Sequence, residues 1–104
     1  MLDNNSQIHG PVEVEKDQIF RGQIIGDATV VGGVKFVLYG QVSQNLFVEL
    51  DSVVEVNGMV NGTVFNKGGT VEIHGIVGSV KDLASVAKTR IAPNAVVLDQ
   101  NHIR

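Results

Sequence analysis

A Gly-x-Val/Ile triplet recurs through this chain and constrains its fold more than any other feature. It stands at Gly22-Gln23-Ile24, Gly40-Gln41-Val42, Gly58-Met59-Val60 and Gly75-Ile76-Val77. The first three copies are 18 residues apart and the fourth follows after 17, so one residue is lost, which we place within Phe65 to Gly69. A degenerate copy, Gly10-Pro11-Val12, precedes Gly22 by 12 residues, two thirds of 18, and points to a six-residue subunit. In that phase apolar residues fall at Val12, Ile24, Val30, Phe36, Val42, Val48, Val54 and Val60, then at Val71, Val77 and Leu83. Gln18 and Asn66 are the exceptions. Two residues further on, Val14, Phe20, Leu38, Leu50, Val56 and Ile73 supply a second inward position. Each unit therefore reads in, out, in, then a corner rich in Gly or Asn, as short strands joined by tight bends would.

Three strands per 18 residues predict a triangular parallel β-solenoid of about five coils, an all-β single domain. Face A is expected at 18–20, 36–38, 54–56 and 71–73. Face B is expected at 24–26, 42–44, 60–62 and 77–79. Face C is expected at 12–14, 30–32, 48–50, 66–68 and 83–85. Residues 1–11 read as a lead-in, 12–81 as the repeats, and 82–104 as an irregular C-terminal cap, because KDLASVAKTR breaks the pattern with charge and alanine and without glycine. A cap matters because an open strand edge invites pairing with another chain. An antiparallel sandwich would also be rich in Val and Gly, but it has no reason to hold an 18-residue register.

Composition excludes several function classes. The chain has 104 residues, and a formal charge of -3 gives no basic footprint for nucleic acid. It has no cysteine, which removes thiolate metal sites and thiol nucleophiles. No apolar run is long enough for a transmembrane helix, and the N-terminus MLDNNSQIHG lacks the pattern of a signal peptide, so a cytoplasmic location is expected.

The stretches VEVNGMVNGTV, Val54 to Val64, and GGTVEIHGIVGSV, Gly68 to Val80, resemble the bactofilins, bacterial cytoskeletal proteins. The likeness covers about Gly22 to Val80. It implies a right-handed triangular β-helix without a catalytic site, and subunits that polymerise end to end into filaments.

No residue pattern marks an enzyme. His9 and His74 each precede a corner glycine and His102 lies in the tail, without helical spacing or a repeating carboxylate, so no metal or cofactor is expected. Ser43, Ser52, Ser79 and Ser85 have no base beside them in the repeat. Glu55 and Glu72 stack outward on face A, but a general acid and base need a cleft that a flat wall does not offer. Val31-Gly32-Gly33 and Lys67-Gly68-Gly69 lack the phosphate-loop signature and read as corners. Hexapeptide acyltransferases share a triangular coil but need a catalytic histidine in a subunit cleft. Thr29, Thr63 and Thr70 do not form the columns that ice binding requires.

The outward surface is then the working surface. Alternation points Ile19 and Val37 outward on face A, Ile25 on face B and Val31 on face C. Tyr39 stands on a corner in column with Arg21, Asn57 and His74, and Phe47 and Phe65 should stack. The expected protein-binding set is Ile19, Arg21, Ile25, Val37 and Tyr39, with Glu55 and Glu72 steering a basic partner. The expected function is a non-catalytic protein binder, concretely an immunity or antitoxin-type inhibitor that covers the functional surface of a bacterial toxin or enzyme. The alternative is a bactofilin-like protein that assembles into filaments. Neither reading involves nucleic acid, a membrane span or a small-molecule substrate.

Overall fold

The computed structural model describes residues 2–99, and over that span the chain is an all-β parallel solenoid of about five coils. Face A is one sheet holding Leu2–Asn4, Gln18–Phe20, Lys35–Leu38, Val53–Val56, Thr70–Ile73 and Lys88–Ile91 in that spatial order. Face B carries Gln7–His9, Gln23–Ile25, Gln41–Val42, the start of Met59–Asn66, the start of Ile76–Asp82, and Val96–Val97. Face C carries Val12–Val14, Ala28–Val30, Leu46–Val48 and the ends of the two long strands, which run unbroken through the B/C corner. Among the described residues there is no helix.

Register gives the coil lengths directly. Leu2 pairs with Gln18, Gln18 with Phe36, Phe36 with Val54, Val54 with Val71 and Val71 with Thr89, offsets of 16, 18, 18, 17 and 18. The lost residue falls between Asn66, which still pairs with Val48, and Thr70, which pairs with Val53. A second slip lies between Val60 and Thr63, where Val60 pairs with Val77 but Thr63 with Ser79. Inward residues of faces A and B stack as their spacing predicts: Phe36, Val54 and Val71 in one column, and Ile24, Val42, Val60 and Val77 in another, all buried.

Face C holds Val12–Val14 where the repeat predicts it, but from the second coil on it begins two residues earlier than expected. Its inward pairs are Ala28 and Val30, Leu46 and Val48, and Val64 and Asn66, while Leu50 and Leu83 are 56% and 55% exposed. The B/C corner explains the shift. The Asp27 carboxylate accepts the Asn45 backbone N–H at 2.9 Å, and the Asn45 side-chain oxygen accepts that of Thr63 at 2.9 Å. These side chains close the corner from within, so face C begins earlier. The spare length falls in the C/A corner, where Asp51 takes a φ of 67° and Leu50 is turned outward. Residues 2–9, read from sequence as a lead-in, form two strands of a short first coil. The segment after Asp82, read as an irregular cap, continues the solenoid: Lys88–Ile91 pairs with Thr70–Ile73, and Val96 and Val97 with Ile76 and Val77.

Asn66 breaks the apolar pattern and is nevertheless fully buried. Its amide donates to the Lys88 carbonyl at 3.2 Å and to the Thr89 hydroxyl at 3.0 Å, and its oxygen accepts the N–H groups of Gly68 and Gly69 at 3.1 and 2.8 Å. One side chain thus satisfies the turn left by the lost residue and ties it to the next coil. Asn66→Ala should cost about 3 kcal/mol in urea unfolding, because the buried Gly69 N–H and the half-buried Gly68 N–H both lose their partner. A loss under about 0.5 kcal/mol would show that the turn relaxes to satisfy itself.

Candidate binding surface

Two hollows flank face A. The first runs along the A/B corner and rests on the glycine column. A β-carbon on Gly40 would fall on the Gly22 carbonyl oxygen, and one on Gly58 on that of Gly40, so backbone approaches backbone with no room for a side chain. The resulting groove holds about 720 Å³. One wall is Arg21 and Tyr39: the guanidinium carbon lies 4.8 Å from the ring centroid, and Nε donates to both Asp3 oxygens at 3.0 and 3.1 Å. The other wall is Gln7, Gln23, Gln41, Met59 and Ile76, paired in that order by the strand register.

The second hollow, about 510 Å³, lies at the C/A corner. Leu50, Val53 and Val86 are 56%, 42% and 57% exposed and all line it. A β-carbon at Gly68 would meet Leu50 Cδ1 at 2.8 Å and Val86 Cγ2 at 3.3 Å, so the two side chains converge over this glycine from neighbouring coils. Asp51, Thr70 and Lys88 form part of its polar lining.

The expected binding residues are placed as follows. Ile19, Val37, Glu55 and Glu72 do share one outward column on face A, with Asp3 below and Arg90 above. Val37, however, is only 8% exposed although it lies outside the core cluster, and Ile19 is half-buried. Arg21 and Tyr39 stand together on the A/B corner, and Tyr39 is 50% exposed. Ile25 is on face B beside His9, apart from the others. The C/A hollow is not legible in the sequence, because the phase of the repeat points Leu50 inward. The glutamine column is absent from the expected binding set, although Gln23 and Gln41 follow the aligned glycines and their spacing is legible.

Phe47 and Phe65 stack on face C with centroids 5.0 Å apart and planes 9° from parallel, and Lys67 lies over Phe47 at 5.4 Å. His74 hydrogen-bonds Glu72 at 2.7 Å, and Arg90 reaches the other carboxylate oxygen at 3.0 Å. Among the described residues no group of three or more His, Asp or Glu could hold a metal, and His102 lies outside them. The Ser52 hydroxyl is turned inward and donates to the Glu49 carbonyl at 2.7 Å.

The bond from His74 holds the Glu72 carboxyl below its ordinary value, with Arg90 adding to the effect against a smaller cost of burial than the His74 bond recovers. A depressed native pKa means that the cluster stabilises the fold above the ordinary carboxylate value and releases that contribution as pH falls through the native one. Solvent screening keeps the contribution small. The Glu72 side-chain carbon should titrate at lower pH in the folded chain than in the unfolded one, and His74→Ala should raise the midpoint. An unmoved midpoint would show that His74 does not act on it.

Comparison with known proteins finds no matching family, no matching curated protein and no matching solved structure. Among the described residues no helix is long and apolar enough to cross a membrane.

Proposed function

We propose that this chain is a non-catalytic protein-binding solenoid that engages its partner along face A. An immunity or antitoxin-type inhibitor, covering the functional surface of a toxin or enzyme, is the concrete form. The convergence of Leu50, Val53 and Val86 at the C/A edge of that face carries the reading. Exposed apolar side chains gathered in a concave site, with a charged rim, are what an interface centre requires. Glu55, two residues beyond Val53 on the same strand, supplies the acidic charge that would steer a basic partner, while Glu72 in the next coil is already engaged by His74 and Arg90. The chemistry of the two flanks differs, and the greasy flank is the better anchor.

The test compares wild-type chain with a Leu50→Asp, Val86→Asp double variant in retention of proteins from its native host. Both side chains are outside the core, so melting should move by no more than a few degrees. A partner held by wild type and at least about tenfold more weakly by the variant supports the proposal. Equal retention by both removes this face from consideration.

One observation favours a second reading, the bactofilin-like filament. In the first coil, Leu2–Asn4, Gln7–His9 and Val12–Val14 each pair on one side only among the described residues. Such edges can receive strands of another subunit. Filaments formed by the intact chain at moderate concentration, seen by electron microscopy, would make this the primary function; a monomer or dimer in light scattering would set it aside.

A further inference from the structure

We propose that the groove on the A/B corner binds a linear, uncharged polysaccharide laid along the coil axis, with one sugar ring to each coil. This is a separate site from the proposed protein interface, on the opposite edge of face A.

The groove's floor cannot be filled by the chain's own side chains, since any residue larger than glycine at positions 40 and 58 would strike backbone. The floor is also chemically quiet. Gly22, Gly40 and Gly58 already accept the N–H groups of Gln41, Met59 and Ile76, each at 3.0 Å. A ligand is therefore read by the walls.

On one wall, Gln7, Gln23 and Gln41 stand in register on successive coils. No hydrogen bond joins these amides, and Gln41 makes only a 3.9 Å contact to the Met59 sulfur. Each amide offers two N–H donors and an acceptor oxygen. Sugar hydroxyls both donate and accept, so they match such a ladder in either amide orientation. Met59 and Ile76 continue the same column as apolar surface, suited to the C–H face of a ring. On the other wall, Tyr39 offers an apolar ring and a hydroxyl. Arg21 is fixed through Nε by Asp3, which leaves its terminal nitrogens to donate.

Charge and spacing narrow the ligand. Among the described residues the groove's one lining cation, Arg21, is paired with Asp3, so these residues offer no surplus positive charge to hold a polyanion. The columns repeat at about 4.8 Å, whereas an extended peptide advances about 3.3 Å per residue. A peptide along the axis would meet the amides in phase only at alternate coils. A pyranose linked through opposite ring positions spans close to one coil and would stay in phase. The site is an open groove rather than an enclosed cavity, which suits an extended chain that runs past it at both ends.

The test titrates the full-length chain, followed by amide resonances, with cellohexaose and chitohexaose. An oligogalacturonate and an extended Ser/Thr peptide serve as controls. At least one neutral sugar should shift the Gly22, Gly40 and Gly58 amides saturably. Tyr39→Ala and Gln41→Ala should each weaken binding by about tenfold, while Tyr39→Phe loses less. The Leu50→Asp, Val86→Asp variant should bind sugar as wild type does, which separates this inference from the protein-binding one. The proposal fails if no neutral sugar binds, if the shifts map elsewhere, or if the peptide or the oligogalacturonate is preferred.

Discussion

Gly40→Ala should leave the chain unfolded at room temperature, without the cooperative melt of the wild type. Gly40 does not have the positive φ that usually explains a glycine. What forbids a side chain is the stacking itself: a β-carbon would overlap the Gly22 carbonyl oxygen, which is held in the ladder by the Gln41 N–H. Relief would require neighbouring coils to separate, breaking hydrogen bonds along faces A and B together. Native stability is only about 5–15 kcal/mol, and a backbone clash of this kind consumes most of it. Gly33 gives the contrast. It has a φ of 82° and nothing within 4 Å of its missing β-carbon, so Gly33→Ala meets strain but no clash and should cost about 1–2 kcal/mol. Circular dichroism melts of the two variants side by side decide the matter. A Gly40→Ala protein that melts within a few degrees of wild type would mean that the corner is looser than its geometry implies.

That contrast explains which parts of the fold were legible in the sequence. The column of Gly22, Gly40, Gly58 and Gly75 could be read because every coil repeats the same close approach, so the constraint recurs at the coil period. Val42, Val60 and Val77 were legible for the same reason. From the second coil on, face C begins two residues before the position the repeat predicts, because its corner is set by Asp27 and Asn45, whose side chains replace turn hydrogen bonds one coil ahead. A polar residue at a corner looks the same in sequence whether it faces water or closes the turn. The repeat phase and apolar character of Leu50 predict an inward side chain, and the outward turn at Asp51 is a local backbone event without periodic trace. The first coil escaped notice because its 16-residue length breaks the repeat. At the surface, Tyr39 and Arg21 were found as a pair, since columns preserve spacing. The burial of Val37 was not, because an outward position can still be covered by its neighbours.

Val60→Asp should be as damaging as Gly40→Ala, for a different reason and with a different response to pH. Val60 is fully buried in the face B column, between Val42 and Val77, and the core cluster around it is apolar. Removing the valine forfeits about 1.5–3 kcal/mol of burial. Leaving an unpaired carboxylate in its place adds roughly 3–5 kcal/mol, by analogy with a buried ion pair that has lost one partner. Asn66 shows what an inward polar group needs: four hydrogen bonds, supplied by the turn at Gly68 and Gly69 and by the next coil. Position 60 offers none of these, because the backbone around it is committed to the ladders. Val60→Ala, which only opens a cavity, should cost roughly 2 kcal/mol and still fold. The sign of the pH effect identifies the cause. Burial raises the native pKa of the new carboxyl above its unfolded value, so the folded state favours the protonated form. The variant therefore regains stability below the ordinary carboxylate pKa and loses it as pH rises towards the raised native value. Acidification should partly restore the strand signal in Val60→Asp and leave that of Val60→Ala without a comparable gain. A Val60→Asp chain equally unfolded at both ends of that range would point to lost shape rather than buried charge.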